Sequence, residues 1–317
     1  CYTTSLAIVD HSENLIYDGR ILLEVSQGER GLRQSEAVFQ HVKNLSVLAG
    51  EGMAKLGQDK PACIAVSTAP RDVEGSYMPV FAAGHHIAKV MASCTGTRIV
   101  ECNHQLGHIL AGAWSIKMPL QDNYLVYHVS GGTTELLAVK ENSPAAIVGG
   151  TNDLNAGQFI DRVGVAMGLR FPCGKEMDKL SGRCQGEKLH IPSSINGSFL
   201  SFSGPESHVQ RLIAKNNSID DDYRALISRS LFENIGHALE KTIAAACNSQ
   251  DIGTVLVVGG VASNSIINRI LSSSKKLKAM NMQIGISDFR YSSDNAVGTA
   301  LFGKRACENN GGFNEQY

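Results

Sequence analysis

The stretch NHQLGHILAG, residues 103–112, carries two histidines four positions apart. It reads as a helix, and a separation of four places His104 and His108 on one helical face, where both imidazoles reach one metal ion. A structural pair has the same spacing, so spacing alone leaves both interpretations open. The sequence H-Q-x-x-H differs by one residue from the metalloprotease motif H-E-x-x-H. Gln105 cannot accept the proton that the glutamate of that motif accepts. The pair therefore argues against a peptidase and needs a third ligand.

Asp294, in YSSDNAVGTALFG, is the best candidate for that third ligand. It also stands where an N-cap for the last predicted helix is expected, and capping alone would explain it. Both roles stay open from the sequence.

Two glycine pairs are candidates for anion binding. In HVSGGTT, Gly131 and Gly132 end a predicted strand, where backbone N–H groups can approach a phosphate; a plain tight hairpin is the alternative. In VLVVGGVASN, a second pair lies between a strand and a helix that we expect to open near Ala262. There, Asn264 is equally suited to bind a ribose or base and to cap the helix. Both G-x-G-x-x-G spacing and a P-loop lysine are missing, which excludes the two commonest nucleotide signatures.

The composition describes an ordinary globular protein. Its 317 residues predict two packed lobes with a cleft, and 43% hydrophobic and 19% charged residues, without any long apolar run, exclude disordered and membrane-embedded classes. The net charge of −1 means that a nucleic acid partner must be held by a local patch or by another subunit. Eight cysteines without C-x-x-C spacing, and no signal peptide, predict reduced thiols and a cytoplasmic location. Because the sequence opens in what reads as a turn, we expect a first strand before Cys1.

Strands and helices are predicted to alternate, which favours an α/β protein. In the first lobe we expect two strands and then a helix that Ser35 caps and that ends near Gly57. A strand at 62–68, a helix at 79–94 and a strand at 97–103 follow. In the second lobe we expect two strands, an irregular stretch ending at about 205, a strand followed by the helix that opens near Ala262, and three further helices. The strands lie within 123–141 and 254–260, and the helices at about 155–168, Tyr223–Cys247 and about 295–307.

An internal repeat links the two lobes. CYTTSLAIV (1–9) aligns with GGTTELLAV (131–139), sharing the threonine pair, a leucine and the closing valine. Coincidence is one explanation. A duplicated α/β domain with a nucleotide held between hairpin turns is the other.

Six motifs together resemble the TsaD family, the tRNA N6-adenosine threonylcarbamoyltransferases, formerly called O-sialoglycoprotein endopeptidases. They occur in the family's order across nearly the whole chain: NHQLGHILAG, HVSGGTTELL, NAGQFIDRVGVAMGLRFPCGKEMDKLS, FLSFSG, VLVVGGVASN and SSDNAVGTA. The resemblance implies a two-lobed actin-like and sugar-kinase-like fold of duplicated α/β domains with a central nucleotide cleft. We expect lobes at 1–120 and 121–294, with a C-terminal helix in 295–317 packing back on the first.

The resemblance also implies site residues, matched position by position. Metal ligands would be His104, His108 and Asp294, holding one divalent ion, iron or zinc. An adenine nucleotide (threonylcarbamoyl-AMP, ATP or ADP) would have its phosphates lined by His128, Val129, Ser130, Gly131 and Gly132. Its adenosine would be held by Asp161, Gly174, Asp178 and Asn264.

The activity implied is metal-dependent transfer of the threonylcarbamoyl group from its AMP anhydride to N6 of the adenosine 3' of the tRNA anticodon. The implied partners are tRNA, a shorter paralog of the TsaB type and an ATPase of the TsaE type, with a homodimer as an alternative to the paralog and no membrane.

Several positions depart from the family pattern. The family has a glutamate between its two metal histidines, whereas this chain has Gln105, Leu and Gly there. The family also has a histidine after the Gly-Gly pair, and this chain has Thr133 in its place. The segments 69–77 and 28–45 differ from the usual glycine-rich loops, and FSGPES lacks a lysine. These changes support a second hypothesis, a nucleotide- and metal-binding paralog with another acceptor or a regulatory role. Sugar- or acetate-kinase-like activity is a more distant alternative.

Overall fold

The computed structural model of the chain describes residues 2–25, 32–71, 74–119, 123–140, 143–184, 188–216, 219–292 and 294–308. Parts of three predicted features lie outside these residues. One is Cys1, before which a strand is expected. The others are residues 28–31 and 72–73, in the two loops that depart from the family pattern, and residues 309–317, at the end of the predicted C-terminal segment.

The chain divides into two compact units. The first comprises Cys1–Trp114 and Ser293–Tyr317, and the second is Ser115–Ser292. The division falls between Trp114 and Ser115, the last two residues of the helix of the two histidines, whereas the sequence placed the lobe boundary at residue 120. Asp294, assigned by the prediction to the second lobe, belongs to the first unit, where its carboxylate lies beside those histidines.

The first unit is an α/β structure, as predicted. Its elements are β1 (Thr3–Val9), β2 (Leu15–Leu22), α1 (Gln34–Leu56), β3 (Cys63–Ala69), α2 (Pro79–Thr95), β4 (Arg98–Asn103), α3 (His104–Ser115) and α11 (Val297–Glu308). Among the described residues, β1 and β2 form an antiparallel pair and β3 and β4 a parallel pair. Helix α1 ends at Gly57, as predicted, but its N-cap position is Arg33. The prediction that Ser35 caps it is wrong, because the helix already includes Gln34.

The second unit is built on a larger mixed sheet. Its strands are β5 (Asn123–Val129), β6 (Thr134–Lys140), β7 (Ser143–Thr151), β8 (Ser194–Asn196), β9 (Phe199–Ser201), β10 (Thr254–Val258) and β11 (Gln283–Ile286). Its helices are α4 (Ala156–Ala166), α5 (Gly174–Ser181), α6 (Ser203–Ala214), α7 (Asp221–Gln250), α8 (Ser265–Ser273), α9 (Lys275–Ala279) and α10 (Phe289–Ser292). Within the described ranges the sheet order is β11-β10-β5-β6-β7-β9-β8.

Burial explains why β5 and β10 read as continuous apolar runs. Both strands lie inside the sheet, are parallel to each other, and are buried along almost their whole length. The core around them includes α4, α7 and α8, whose apolar side chains pack as one cluster. Because β5 and β10 are adjacent and parallel, their carboxyl ends, and the glycine pairs that follow, lie at the same edge of the sheet.

The irregular stretch predicted to run to about residue 205 is in fact structured. It contains α5, the short pair of strands β8 and β9, and the start of α6. The carboxylate of Asp153 binds this region to the sheet, accepting bonds from Ser201 Oγ and from the backbone N–H of Phe202 (3.0 Å) and Ser203 (3.4 Å). The prediction failed because these elements are short and are fixed by contacts distant in sequence.

The two copies of the internal repeat form strands β1 and β6. Their equivalent threonines, Thr4 and Thr134, are both buried, and each hydroxyl bonds the helix that follows its hairpin. Thr4 Oγ1 lies 2.8 Å from His41 Nδ1 in α1, and Thr134 Oγ1 accepts the N–H of Ala156 at the start of α4 (2.9 Å). The repeat thus has the same local role in both units.

In the described part of the chain, no helix is both long and apolar enough to span a bilayer.

Candidate metal centre and nucleotide-binding turns

Strand β4 leads directly into α3, and this junction positions the histidine pair. His104 is the first residue of α3 and His108 lies one turn later, confirming the predicted helix. Asn103 Oδ1 accepts the N–H of Leu106 at 2.8 Å, which caps the first turn. The cap fixes the start of the helix, so both imidazoles project from the same face.

Asp294 reaches the histidines from a segment far away in sequence. Helix α11 begins at Val297, whose N–H is accepted by Asn295 Oδ1 at 3.0 Å, so Asn295 has the capping role that the sequence left open for Asp294. The carboxylate of Asp294 instead lies between α3 and the start of β1. Its Oδ2 accepts the N–H of Tyr2 at 3.1 Å, and its Oδ1 faces the two histidines.

Three ligand atoms form a nearly equilateral triangle. His104 Nε2 lies 3.1 Å from His108 Nε2 and 3.2 Å from Asp294 Oδ1, and His108 Nε2 lies 3.4 Å from the same oxygen. Ligands about 2.0–2.1 Å from a tetrahedral ion are separated by roughly 3.3–3.4 Å. The residues therefore fit one divalent ion, and two imidazoles with one carboxylate suit iron and zinc alike. Among the described residues, this is the cluster of histidine, cysteine and carboxylate side chains able to hold a metal.

Burial and neighbouring groups favour, for His108 and Asp294, the protonation states that a metal needs. Burial lowers the pKa of His108, and the neighbouring His104 lowers it further, which favours the neutral imidazole. Burial would raise the pKa of Asp294, but its hydrogen bonds with His104 and His108 outweigh this and hold the pKa well below its usual range. A neutral imidazole and an ionised carboxylate are the ligand forms.

A cavity of about 500 Å³ lies in the first unit, and His104 and Asp294 line it. The rest of its wall comes mainly from β1, β3, α1, α2 and α11. Phe81 in α2 meets the ring of His104 edge-on, with centroids 5.6 Å apart. The candidate metal centre thus borders a largely apolar space, where charged groups interact more strongly than in water.

In the second unit, the first glycine pair forms the turn between β5 and β6. The turn is closed by Ser130 N–H to Thr133 O (2.7 Å) and Thr133 N–H to Ser130 Oγ (3.1 Å), while Gly131 and Gly132 are exposed. Helix α4 begins against this turn, since Gly157 N–H donates to Ser130 O at 3.2 Å. Exposed glycine amides beside a helix N-terminus suit a phosphate.

The second glycine pair follows β10 at the same edge of the sheet. Gly259 has φ +100°, and a Cβ there would lie 2.4 Å from the carbonyl oxygen of Val129, so this position requires glycine. Val261 N–H donates to that same oxygen at 3.0 Å. The two glycine turns are therefore held together through the end of β5.

Asn264 caps α8, which begins at Ser265 and not near Ala262 as predicted. Its Oδ1 accepts the N–H groups of Ile266 and Ile267, both at 3.1 Å. Its Nδ2 donates to Asp178 Oδ1 at 2.9 Å, an oxygen that also accepts Ser265 Oγ at 2.8 Å. The structure thus brings Asp178 and Asn264 into direct contact.

The remaining predicted nucleotide residues lie in or beside the same unit's core. Asp161, in α4, accepts the N–H of Cys173 at 2.7 Å, and burial raises the pKa of its carboxyl. That bond places Gly174, the first residue of α5, close to α4. His128 and Val129 are buried at the end of β5.

Three contacts were missed from the sequence: the Tyr2 N–H on Asp294, the Asn295 cap and the Ser265 hydroxyl on Asp178. The sequence did contain a signal for the Asn295 cap, because asparagine is a common capping residue and Asn295 directly follows Asp294. The other two depend on residues brought together only by folding.

Comparison with known proteins identifies the family. The sequence profile described as "TsaD: tRNA N6-adenosine threonylcarbamoyltransferase" matches residues 23–301. The chain belongs to the TsaD family. A tRNA N6-adenosine threonylcarbamoyltransferase from Thermosipho africanus is 29% identical over 96% of this chain and 91% of its own length. One from Caldicellulosiruptor saccharolyticus is 29% identical over 96% and 89%, and one from Clostridium botulinum is 28% identical over 95% and 89%. TsaD proteins are transferases, and the chain is an enzyme of this family.

Solved structures of other proteins share the fold. Component A of (R)-2-hydroxyglutaryl-CoA dehydratase from Acidaminococcus fermentans matches with a TM-score of 0.55 at 12% identity, covering 97% of this chain and 96% of its own. Full-length HypF matches with a TM-score of 0.59 at 14% identity, covering 94% and 53%. A ROK hexokinase from Thermus thermophilus gives 0.51 at 14% identity, covering 94% and 94%. This TsaD protein therefore has the predicted actin-like and sugar-kinase-like α/β fold.

Proposed function

We propose that the protein transfers a threonylcarbamoyl group from threonylcarbamoyl-AMP to N6 of the adenosine 3' of the tRNA anticodon, using a divalent metal ion. The TsaD match over residues 23–301 carries this proposal, because it spans most of both units. The convergence of His104, His108 and Asp294 supports the metal dependence.

The reaction is an acyl transfer. The N6 nitrogen of adenosine forms a bond to the carbonyl carbon of the threonylcarbamoyl group, and the bond from that carbon to the phosphate oxygen breaks. AMP leaves with the electron pair, and the N6 proton passes to solvent. The barrier is lowered by groups that hold the phosphate and carbonyl oxygens as charge develops on them.

His104, His108 and Asp294 would hold the metal. A divalent ion bound there would supply Lewis-acid chemistry. The residues themselves contribute two imidazoles on one face of α3 and an ionised carboxylate, which Tyr2 N–H orients from the other side.

The glycine turn of the second unit would hold the leaving AMP. Gly131 and Gly132 are exposed, so their N–H groups would meet phosphate oxygens there, and the N-terminus of α4 would add a favourable dipole. His128 and Val129, at the end of β5, and Ser130 would line the phosphates beside this turn. Asp161, Gly174, Asp178 and Asn264 would surround the adenosine, with Asp178 and Asn264 already bonded to each other.

The departures from the family pattern define the competing candidate, a paralog with another acceptor. Gln105 is buried in α3 beside the candidate ligands, and Thr133 closes the glycine turn through its backbone. Both positions lie next to the candidate sites without supplying a ligand atom to the triad. A change of acceptor would therefore leave metal and nucleotide binding intact.

The deciding experiment supplies the full chain with divalent metal, threonylcarbamoyl-AMP, unmodified tRNA and partner proteins of the TsaB and TsaE types. Nucleosides from the digested tRNA are then separated by liquid chromatography and identified by mass. We expect threonylcarbamoyladenosine to form. No product, with metal and AMP still bound, would favour the paralog.

Matched histidine variants test whether the metal centre is needed. We expect His104→Ala to lower the rate by at least about 100-fold, because one of three ligands is lost. His85→Ala is the control, since His85 lies in α2 of the same unit and pairs with Glu101 at 2.7 Å, outside the triad. Equal activity of the two variants would refute the metal role.

A further inference from the structure

Helices α3 and α11 touch backbone to backbone one turn from the candidate metal ligands. A Cβ built on Gly298 would lie 1.8 Å from the carbonyl oxygen of Gly107 and 2.8 Å from the backbone nitrogen of Ala111. Real Cβ atoms essentially never lie within 3.0 Å of a non-bonded heavy atom. A side chain at this position is therefore incompatible with the observed separation of the two helices.

This contact lies on the ligand face of α3. His104, Gly107, His108 and Ala111 follow the spacing of one helical face, so Gly298 rests on the same surface from which both imidazoles project. Both glycines are buried. The distance between α11 and this face is therefore set by two residues without side chains.

Asp294 lies three residues before α11 and is linked to its start. Its neighbour Asn295 caps the helix through the N–H of Val297, directly before Gly298. Thr299, the next residue, binds Ser67 Oγ of β3 at 3.1 Å and lies against Gly107. The start of α11 is thus held against α3 on one side and β3 on the other.

We propose that Gly298 is a positioning residue, whose missing side chain lets α11 approach α3 closely enough for Asp294 to share a metal ion with His104 and His108. Ligand distances must fall within about 0.2 Å of their ideal values. Relief of the clash requires the helices to separate by more than that tolerance, and the obstructing atoms are backbone, so no side chain can rotate away. The proposal rests on the metal centre of the proposed function.

The test compares Gly298→Ala with Gly50→Ala in the full chain, using Co²⁺ as the probe. Gly50 lies in α1 of the same unit and an added Cβ there meets nothing within 4 Å, which makes it the matched control. The dissociation constant is measured by titration of the Co²⁺ absorption bands, and folding by circular dichroism. We expect Gly298→Ala to bind Co²⁺ at least about 10-fold more weakly than the wild type, with a changed band pattern. A folded Gly298→Ala protein with the affinity of Gly50→Ala would overturn the proposal.

A milder variant decides the matter if Gly298→Ala does not fold. A Cβ on Gly107 would lie 3.2 Å from Thr299 Oγ1, which is bonded to Ser67 and would have to shift by a few tenths of an ångström. We expect Gly107→Ala to weaken Co²⁺ binding several-fold. The double variant Gly107→Ala with Thr299→Ala should bind Co²⁺ with an affinity close to that of the single variant Thr299→Ala. Absence of both effects would contradict the positioning role.

A second readout separates this proposal from the proposed function. If the wild-type chain binds no Co²⁺, the metal centre itself is refuted. A crystal structure of metal-free Gly298→Ala then tests the positioning alone, through the distance from His104 Nε2 to Asp294 Oδ1, which is 3.2 Å in the wild type. We expect an increase of more than about 1 Å, and an unchanged distance would overturn the inference.

Discussion

The candidate ligands of the first unit point their polar atoms at one another, whereas those of the second unit point theirs at backbone amides and neighbouring side chains. Nε2 of His104, Nε2 of His108 and Oδ1 of Asp294 lie 3.1–3.4 Å apart. In the second unit, Asp161 accepts the N–H of Cys173, and Asn264 caps α8. The three candidate metal ligands converge on one place, whereas the candidate nucleotide residues are spread over several elements of the second unit.

This difference predicts how substitutions in each set of residues affect folding stability and ligand binding. A cap or a buried hydrogen bond contributes to folding, so its loss lowers stability and ligand binding together. A converged ligand set contributes chiefly through the ion it binds, so its loss removes that ion's contribution. The two units should therefore respond differently to substitution.

The largest expected effect is in the metal centre. His108→Ala removes a buried ligand, and we expect the affinity for Co²⁺ to fall at least about 100-fold, while AMP binding without metal stays unchanged. Isothermal titration measures both. His85→Ala serves as the control, and a loss of Co²⁺ binding in that variant as well would show that the effect is not specific to the triad.

The next effect is at the second glycine turn. Gly259→Ala places a Cβ at φ +100° and 2.4 Å from Val129 O, so we expect about 1–3 kcal/mol of destabilisation and at least about 10-fold weaker AMP binding. Urea unfolding and AMP titration check these outcomes together. Gly253→Ala, where an added Cβ meets nothing within 4 Å, should behave as wild type. Unchanged AMP affinity in Gly259→Ala would remove this turn from the nucleotide site.

A smaller effect is expected at the α8 cap. Asn264→Ala loses two bonds to backbone N–H groups and one to Asp178, and we expect a loss of about 1 kcal/mol in the free energy of unfolding together with weaker AMP binding. Asn268→Ala, in the same helix, is the control. If Asn264→Ala changes stability alone, Asn264 is a cap and not a nucleotide contact.

The smallest effect concerns pH and His41. Burial lowers the pKa of this histidine from its ordinary 6.5, and Thr4 lies 2.8 Å from its Nδ1. As the pH falls below about 6.5, the unfolded chain takes up the proton first, so the free energy of unfolding decreases by at most about 1.4 kcal/mol per pH unit. Above that pH the contribution is complete.

Urea unfolding at pH 7.5 and 5.5 measures this dependence. The wild type should lose more stability between the two than His41→Gln does, whereas His11→Gln, in an exposed turn, should lose as much as the wild type. Equal losses in His41→Gln and the wild type would show that His41 is not protonated more readily on unfolding.

Local patterns predicted the parts of this protein that depend on local physics. The histidine helix, the α1 end at Gly57 and the hairpin at Gly131 follow from periodicity and from glycine at turns. The sequence alone left Asp294 suited to a ligand or to a cap, and the family resemblance favoured the ligand and implied the fold. In the structure Asn295 caps α11, and the carboxylate of Asp294 faces the two histidines.

Other features were inaccessible because they arise from contacts between distant residues. Helix α5 is short, and its Asp178 bonds to α8, far along the chain. The crossing of Gly107 and Gly298 likewise joins helices that are separated by most of the sequence. Neither contact leaves a periodic signal in the chain.

A crystal structure of the full chain with Co²⁺ or Zn²⁺, with anomalous diffraction at the metal's absorption edge, tests the central claim most directly. We predict one strong anomalous peak with His104 Nε2, His108 Nε2 and a carboxylate oxygen of Asp294 at about 2.0–2.2 Å. A peak bound by other residues, or no peak at this triad at saturating metal, would contradict the account.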